Sequence, residues 1–191
     1  DEGKGKIINW LLKDTLDKSN IYNYDYCVRY NGGPNAGHTI YIHANQKLVL
    51  HQIPIGIIYG IPSIIGSACV IDPIKLQNEI LALQKMGIQN IKKNLLIAYN
   101  AHCIFYKHIE NDKNTDKVGS TLSGIRPTYR DKYDRCGNRI GKVYRHLYGC
   151  KIIDPVDLFC SKKKCKILCE GAQGFELDID WGDYPYCTSS N

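Results

Sequence analysis

Between residues 7 and 16 the apolar side chains Ile7, Ile8, Leu11, Leu12 and Leu16 recur at steps of three and four, the spacing that puts them on one face of a helix. Gly3 and Gly5 precede this run, so a glycine-rich turn is predicted to feed the helix. Residues 24–30, YDYCVRY, then predict a strand that ends at Asn31-Gly32-Gly33-Pro34. HTIYIHA and KLVLHQI follow, separated at Asn45-Gln46, and predict a hairpin. A second helix is expected over IKLQNEILALQKMG, with Asp72 as N-cap, Pro73 at the first helical position and Gly87 as its stop. NLLIAYN reads as a buried strand, and KCKILCEGAQG as a short strand running into glycines. Residues 110–138 are polar and rich in Gly, Asp, Lys and Arg, and no element is assigned there. Strands alternating with helices give an α/β fold with a mostly parallel central sheet flanked by helices.

No repeat, low-complexity segment or linker divides the chain, and 191 residues with 43% hydrophobic content suit one domain with a core of its own. Residues 1–191 are therefore read as a single unit. The net charge of +6 is compatible with phosphate ligands and decides nothing alone. The run Lys162, Lys163, Lys164 fits a solvated loop better than a nucleic-acid patch, so no nucleic-acid partner is expected. The nine cysteines lack a C-x-x-C pair and are odd in number, which argues against a disulfide framework or zinc ribbon and for reduced, mostly buried thiols. Polar Asp1, Glu2 and Lys4 stand where a signal peptide would be apolar, and no run reaches membrane-spanning length. A cytoplasmic enzyme without membrane attachment is expected.

The opening DEGKGK holds glycines whose N–H groups can face an anion, a lysine to reach outer phosphates, and a helix start behind them. It lacks the Ser or Thr that follows the lysine in a standard P-loop. Alone, the six residues fit a phosphate loop and a glycine-containing helix cap equally well.

Together, DEGKGK, NGGPNAGHT, GIRPTYRDK and EGAQGFELDIDWGDYPYCTSSN resemble, in order and character, the motifs of the adenylosuccinate synthetase family, with HQIPIGI and VIDP as weaker matches. The resemblance runs from the first residue to the last. It implies a P-loop-NTPase-like fold and a GTP-dependent ligase that joins IMP and L-aspartate into adenylosuccinate, a committed step toward AMP. The γ-phosphoryl group of GTP moves to the 6-oxygen of IMP, and the aspartate amine then displaces phosphate. It also implies that this chain is one part of a longer protein, beginning inside the phosphate loop and ending before the guanine- and aspartate-binding segments. A fragment of that kind is expected to be inactive by itself.

The same resemblance implies roles for particular residues. Asp1 would be the base that removes the N1 proton of IMP and, with the backbone carbonyl of Gly37, a ligand of Mg²⁺. His38 would donate to the bridging oxygen as GTP cleaves, and Lys4 would follow the transferred phosphoryl group. GTP contacts are expected at Asp1, Glu2, Gly3, Lys4, Gly5, Lys6, Gly37, His38 and Thr39. IMP contacts are expected at Asn35, Ala36, Gly37, His38, Thr121, Gln173 and Thr188, with Arg135 reaching the IMP phosphate of a neighbouring subunit in a homodimer.

GSTLSGIRP departs from the family's usual TTGRGIGP: Leu122 and Ser123 stand for Gly-Arg, and Arg126 for a glycine. The arginine expected at position 123 helps fix the aspartate carboxylates, and a serine cannot replace its charge. Arg126 either supplies that charge or distorts a loop that needs unusual dihedrals. Two alternatives accompany the ligase reading: a catalytically altered nucleotide-binding paralogue, and a relative acting on another purine nucleotide such as dGMP.

Overall fold

The parallel sheet at the centre follows from apolar strands that bury both of their faces, the pattern of sheets covered on two sides. A computed structural model describes residues 3–14, 23–42, 46–115, 120–162 and 164–190. In chain order these form α1 (Lys4–Asp14), β1 (Tyr26–Arg29), β2 (His38–Tyr41), β3 (Lys47–Leu50), a 3-10 turn (Ile55–Tyr59), β4 (Ser63–Ile65) and β5 (Val70–Ile71). Next come α2 (Pro73–Lys85), α3 (Ile91–Asn94), β6 (Leu95–Ala98), β7 (His102–Cys103), α4 (Tyr106–Thr115) and α5 (Ile125–Tyr133). The chain continues through α6 (Ile140–Val143), β8 (His146–Leu147), β9 (Cys150–Ile153), α7 (Pro155–Cys160), β10 (Ile167–Glu170) and a 3-10 turn (Phe175–Leu177).

The main sheet has the order β10-β1-β4-β6-β9-β8, parallel throughout except for β8 against β9. Alternation along the strands sends Cys27, Ile65, Leu95, Ile97 and Leu168 into the large core with Ile8 and Leu12 of α1 and Leu76, Ile80 and Leu83 of α2. The opposite face carries Tyr26, Val28, Ile64 and Leu96, covered by Leu158 and Phe159 of α7. From β1 the chain steps outward through β4, β6 and β9, and β10 then returns to the other side of β1. That reversal is a topological switch point, and the crevice beyond the carboxyl ends of such strands is where open α/β sheets bind ligands.

Several sequence expectations are met residue by residue. β2 and β3 pair antiparallel with His38 opposite Leu50 and Tyr41 opposite Lys47; Asn45 of the expected turn lies outside the described residues. At α2 the Asp72 carboxylate accepts a hydrogen bond from the Lys75 N–H at 3.1 Å, Pro73 opens the helix, and Gly87 beyond its end has φ +83°. The polar stretch read without structure instead contains α5 and the C-terminal part of α4. Their buried residues are largely polar: His108 and Asp112 on α4, Thr128 and Asp131 beside Ile125 and Tyr129 on α5. His108 Nε2 meets Asp131 Oδ2 at 3.0 Å beside a small apolar cluster of Ile125 and Tyr129 with Ile109, so polar contacts share the seam and the apolar period is short. The cysteines are all free, but only Cys27, Cys69, Cys103 and Cys150 are buried, while Cys136, Cys160 and Cys169 are exposed; the strand alternation that hides Cys27 leaves Cys169 on the outside.

Replacing the cap in Asp72→Ala is expected to lower the stability of the fold by about 1 kcal/mol. The backbone N–H of Asp72 keeps its bond to Gln52 Oε1, so only the cap is lost. Urea denaturation measures the change, and an unaltered midpoint would show that the cap contributes nothing.

Candidate active site

Two glycine-containing loops leave the carboxyl ends of β1 and β10 side by side. Asn31 Oδ1 accepts from the N–H of Ala172 at 3.0 Å and ties them together. Gly32 lies at φ +78°, and a Cβ there would come within 2.3 Å of the Ala172 Cβ, so only glycine lets the loops approach this closely. Gly5, in the first turn of α1, packs against the start of β2 in the same way: a Cβ would stand 3.0 Å from His38 Cβ.

Beneath the loops lies a buried charged cluster. Glu170 Oε1 meets Arg29 Nη2 and His38 Nδ1, each at 2.7 Å, while Oε2 accepts from the N–H of Ile55 at 2.8 Å. Arg29 Nη1 also donates to the carbonyl of His51 at 3.1 Å. Burial pushes the Glu170 carboxyl toward neutrality, but Arg29, His38 and the Ile55 N–H outweigh it and hold the group below its ordinary value. An ionised carboxylate only accepts hydrogen bonds, so His38 Nδ1 is the donor. The other ring nitrogen, Nε2, is buried with no hydrogen-bond partner among the described residues, and His38 lines the neighbouring cleft. A ring fixed through one nitrogen with the other presented to a ligand is arranged for proton donation or acceptance.

The cleft has a volume of about 700 Å³. Lys4, Asn35, Ala36, Gly37 and His38 line it from the N-terminal side, and Thr121, Gln173 and Thr188 from the other elements. Asn35 Nδ2 reaches Thr188 Oγ1 at 3.4 Å, whereas Asn35 Oδ1 and both amide atoms of Gln173 are buried without a hydrogen-bond partner among the described residues. Such atoms in a cleft are ready for a ligand's edge. Gly3, Gly5, Lys6 and Thr39 fall outside the lining, with Gly5 packed on β2 and Lys6 exposed. Arg135 is exposed just beyond α5 at φ +61° and is also not part of it. Asp1 and Glu2 lie outside the described residues.

Sequence reasoning overlooked Arg29, Glu170 and Asp112, and it weighed Arg126 only as a replacement charge or a loop distortion; the structure places Arg126 in the cleft lining. Arg29 is buried within a strand and Glu170 closes one; a charge in the middle of YDYCVRY was the available signal, since fully buried arginines need a partner.

Fold and cleft together define an α/β protein whose ligand crevice sits at the switch point of a parallel sheet, with a histidine–carboxylate pair at its floor. The chain belongs to the adenylosuccinate synthetase family, whose model matches residues 1–154 and 158–191. It is 37% identical to the adenylosuccinate synthetase of Chlorobium limicola and 38% identical to that of Flavobacterium johnsoniae, with all of this chain aligned. It spans about half the length of these curated relatives, 53% and 54%. Among solved structures it is similar to the fully ligated adenylosuccinate synthetase from Plasmodium falciparum, with a TM-score of 0.82, 30% identity, and coverage of 100% of this chain and 53% of that one. It also resembles the cyanophage S-2L succinoaminodeoxyadenylate synthetase bound to dGMP and dATP, with a TM-score of 0.78, 27% identity, and coverage of 98% and 52%.

Glu170→Gln leaves Arg29 with a buried, uncompensated charge and is expected to destabilise the fold by about 3–5 kcal/mol. Because the folded carboxyl titrates below its ordinary value of 4.5, its contribution is fully present above that pH and is lost as pH falls through the lowered value. Urea titrations from neutral to acid pH should show a flatter acid decline in the variant; parallel curves would contradict the assignment.

Proposed function

We propose that the full-length protein ligates IMP and L-aspartate to adenylosuccinate, with GTP converted to GDP and phosphate through a 6-phosphoryl-IMP intermediate. Membership of the family supports this reading, and one observation carries it: His38 is locked by Glu170 through Nδ1 while Nε2 is unpartnered at the cleft. As the bond between the β- and γ-phosphates of GTP breaks, charge builds on the bridging oxygen. When Nε2 also carries a proton, the ring is an imidazolium that Glu170 balances from behind, and its donation stabilises that charge.

Lys4 lines the cleft from the first turn of α1, a place from which its ammonium can accompany the transferred phosphoryl group. The 6-oxygen of IMP becomes a better nucleophile once the N1 proton is removed, a role assigned to Asp1. Asn35, Thr121 and Thr188 supply amide and hydroxyl donors suited to the 5′-phosphate, and the unpaired amide of Gln173 suits a purine edge. The exposed position of Arg135, outside the cleft lining, supports its acting on a neighbouring subunit of a homodimer.

Mg²⁺ fits the hard oxygens at this site: Gly37 lines the cleft, and its carbonyl together with Asp1 would hold the ion against the phosphates. Bound there, it would offset phosphate charge. A cytoplasmic setting follows from the family reading; no described helix is long and apolar enough to cross a membrane. The likeness to the phage enzyme bound to dGMP motivates a second reading, in which another purine nucleotide replaces IMP.

GDP release by the full-length protein should require both IMP and aspartate, and His38→Asn should slow it by about 10²–10⁴-fold. Release with dGMP in place of IMP, and none with IMP, would transfer the assignment to the second reading. Nucleotide binding without GDP formation in any combination would identify a non-catalytic paralogue.

A further inference from the structure

The cleft holds a guanidinium to which the mechanism above gives no part. Arg126 lines it from the first turn of α5, near Thr121 and Ile125. Among the described residues its polar contacts run through Nη2, to Thr115 Oγ1 at 2.8 Å and Asp112 Oδ1 at 3.7 Å. Neither makes the two-pronged carboxylate pairing that would occupy the whole fork. The side chain is 40% exposed and lines the cleft.

Asp112 explains how the arginine is held. It is buried on α4, and its Oδ2 accepts from the N–H of Gly124 at 2.9 Å, which fixes the carboxylate to the residue preceding α5. Oδ1 has no hydrogen bond and faces Arg126 only as a loose counter-ion. A cation in the first turn of a helix opposes the helix dipole, whereas an anion there is favoured. Arg126 thus adds its charge to an end of α5 that is already electropositive.

The neighbouring Ser123 is committed elsewhere. Its hydroxyl donates to the carbonyl of Thr121 at 3.2 Å and lies 3.2 Å from Lys75 Nζ, and the residue is buried outside the cleft lining. Arg126 is the only arginine among the described residues that line the cleft.

We propose that Arg126 is a specificity-determining residue that binds an oxyanion of the substrates, a carboxylate or a phosphate, at the α5 wall of the cleft, with Asp112 as its positioning residue. This rests on the ligase reading above and names the residue that reads one charged end of its substrates. Arg126 is partly exposed, lies outside the apolar clusters and meets the buried Asp112 only at 3.7 Å, so its variants are expected to fold.

The test uses the full-length protein, Arg126→Gln and Arg126→Lys, with thermal melting to confirm folding. Two measurements are made: KM for IMP, aspartate and GTP, and calorimetric binding of inorganic phosphate and of succinate. Arg126→Gln should raise one substrate KM about tenfold or more, with Arg126→Lys in between and GTP unaffected. A change confined to aspartate and succinate supports a carboxylate as the bound group; one confined to IMP and phosphate supports the nucleotide phosphate. Unchanged constants in a folded Arg126→Gln protein overturn the proposal. If the wild type forms no GDP with IMP and aspartate, the ligase reading fails and calorimetry alone decides. Weaker phosphate or succinate binding in Arg126→Gln then supports the role of Arg126, and equal or absent binding in both proteins overturns it.

Discussion

The buried carboxylate of Glu170 is the point on which the other parts depend. It joins segments 141, 132 and 115 residues apart through Arg29, His38 and the backbone of Ile55. A carboxylate without water is tolerated only when its oxygens are matched by charge and N–H donors, so β1, β10, the start of β2 and the 3-10 turn after Pro54 must arrive together. The same bonds choose the tautomer of His38. Structure and candidate chemistry are therefore set by one group: a fold that satisfies Glu170 also presents Nε2 to the cleft.

The surrounding glycines act in the same direction. Gly32 and Gly5 permit approaches that a Cβ would block, one between the β1 and β10 loops and one between α1 and β2. Close approach leaves little space inside the loops, and among the described residues Asn35 Oδ1 and both amide atoms of Gln173, two residues of the cleft lining, have no hydrogen-bond partner. The cleft is thus a region where the protein leaves its own hydrogen-bonding capacity open, against the general rule that buried polar groups are satisfied.

How much of this was legible in the sequence depended on the kind of contact. Apolar periodicity gave α1 and α2, and turn residues gave the β2–β3 hairpin and the ends of β1 and β10, because those elements bury hydrocarbon against the sheet. The helices α4 and α5 were not legible, since much of their seam is made by His108–Asp131 and Asp112–Gly124, polar groups that look like surface residues in a linear reading, and only Ile109, Ile125 and Tyr129 add apolar contact. Lys4, Asn35, His38, Thr121, Gln173 and Thr188 were recognisable from their motifs and do meet at one cleft. Glu170, although inside a recognised motif, shows its importance only in three dimensions, where it is seen to hold His38. Arg126 and Ser123 are a similar case: the sequence shows two departures from the family pattern, and the structure shows that one turns into the core while the other faces the cleft.

The most direct test of the central claim is the protonation pattern of the His38 ring, read by nitrogen NMR of the ¹⁵N-histidine-labelled protein with His38→Asn used for assignment. With the ring neutral, the proton should reside on Nδ1, bonded to Glu170, and Nε2 should carry the lone pair. A proton found on Nε2, with Nδ1 bare, would mean that Glu170 does not set the ring and would contradict the account.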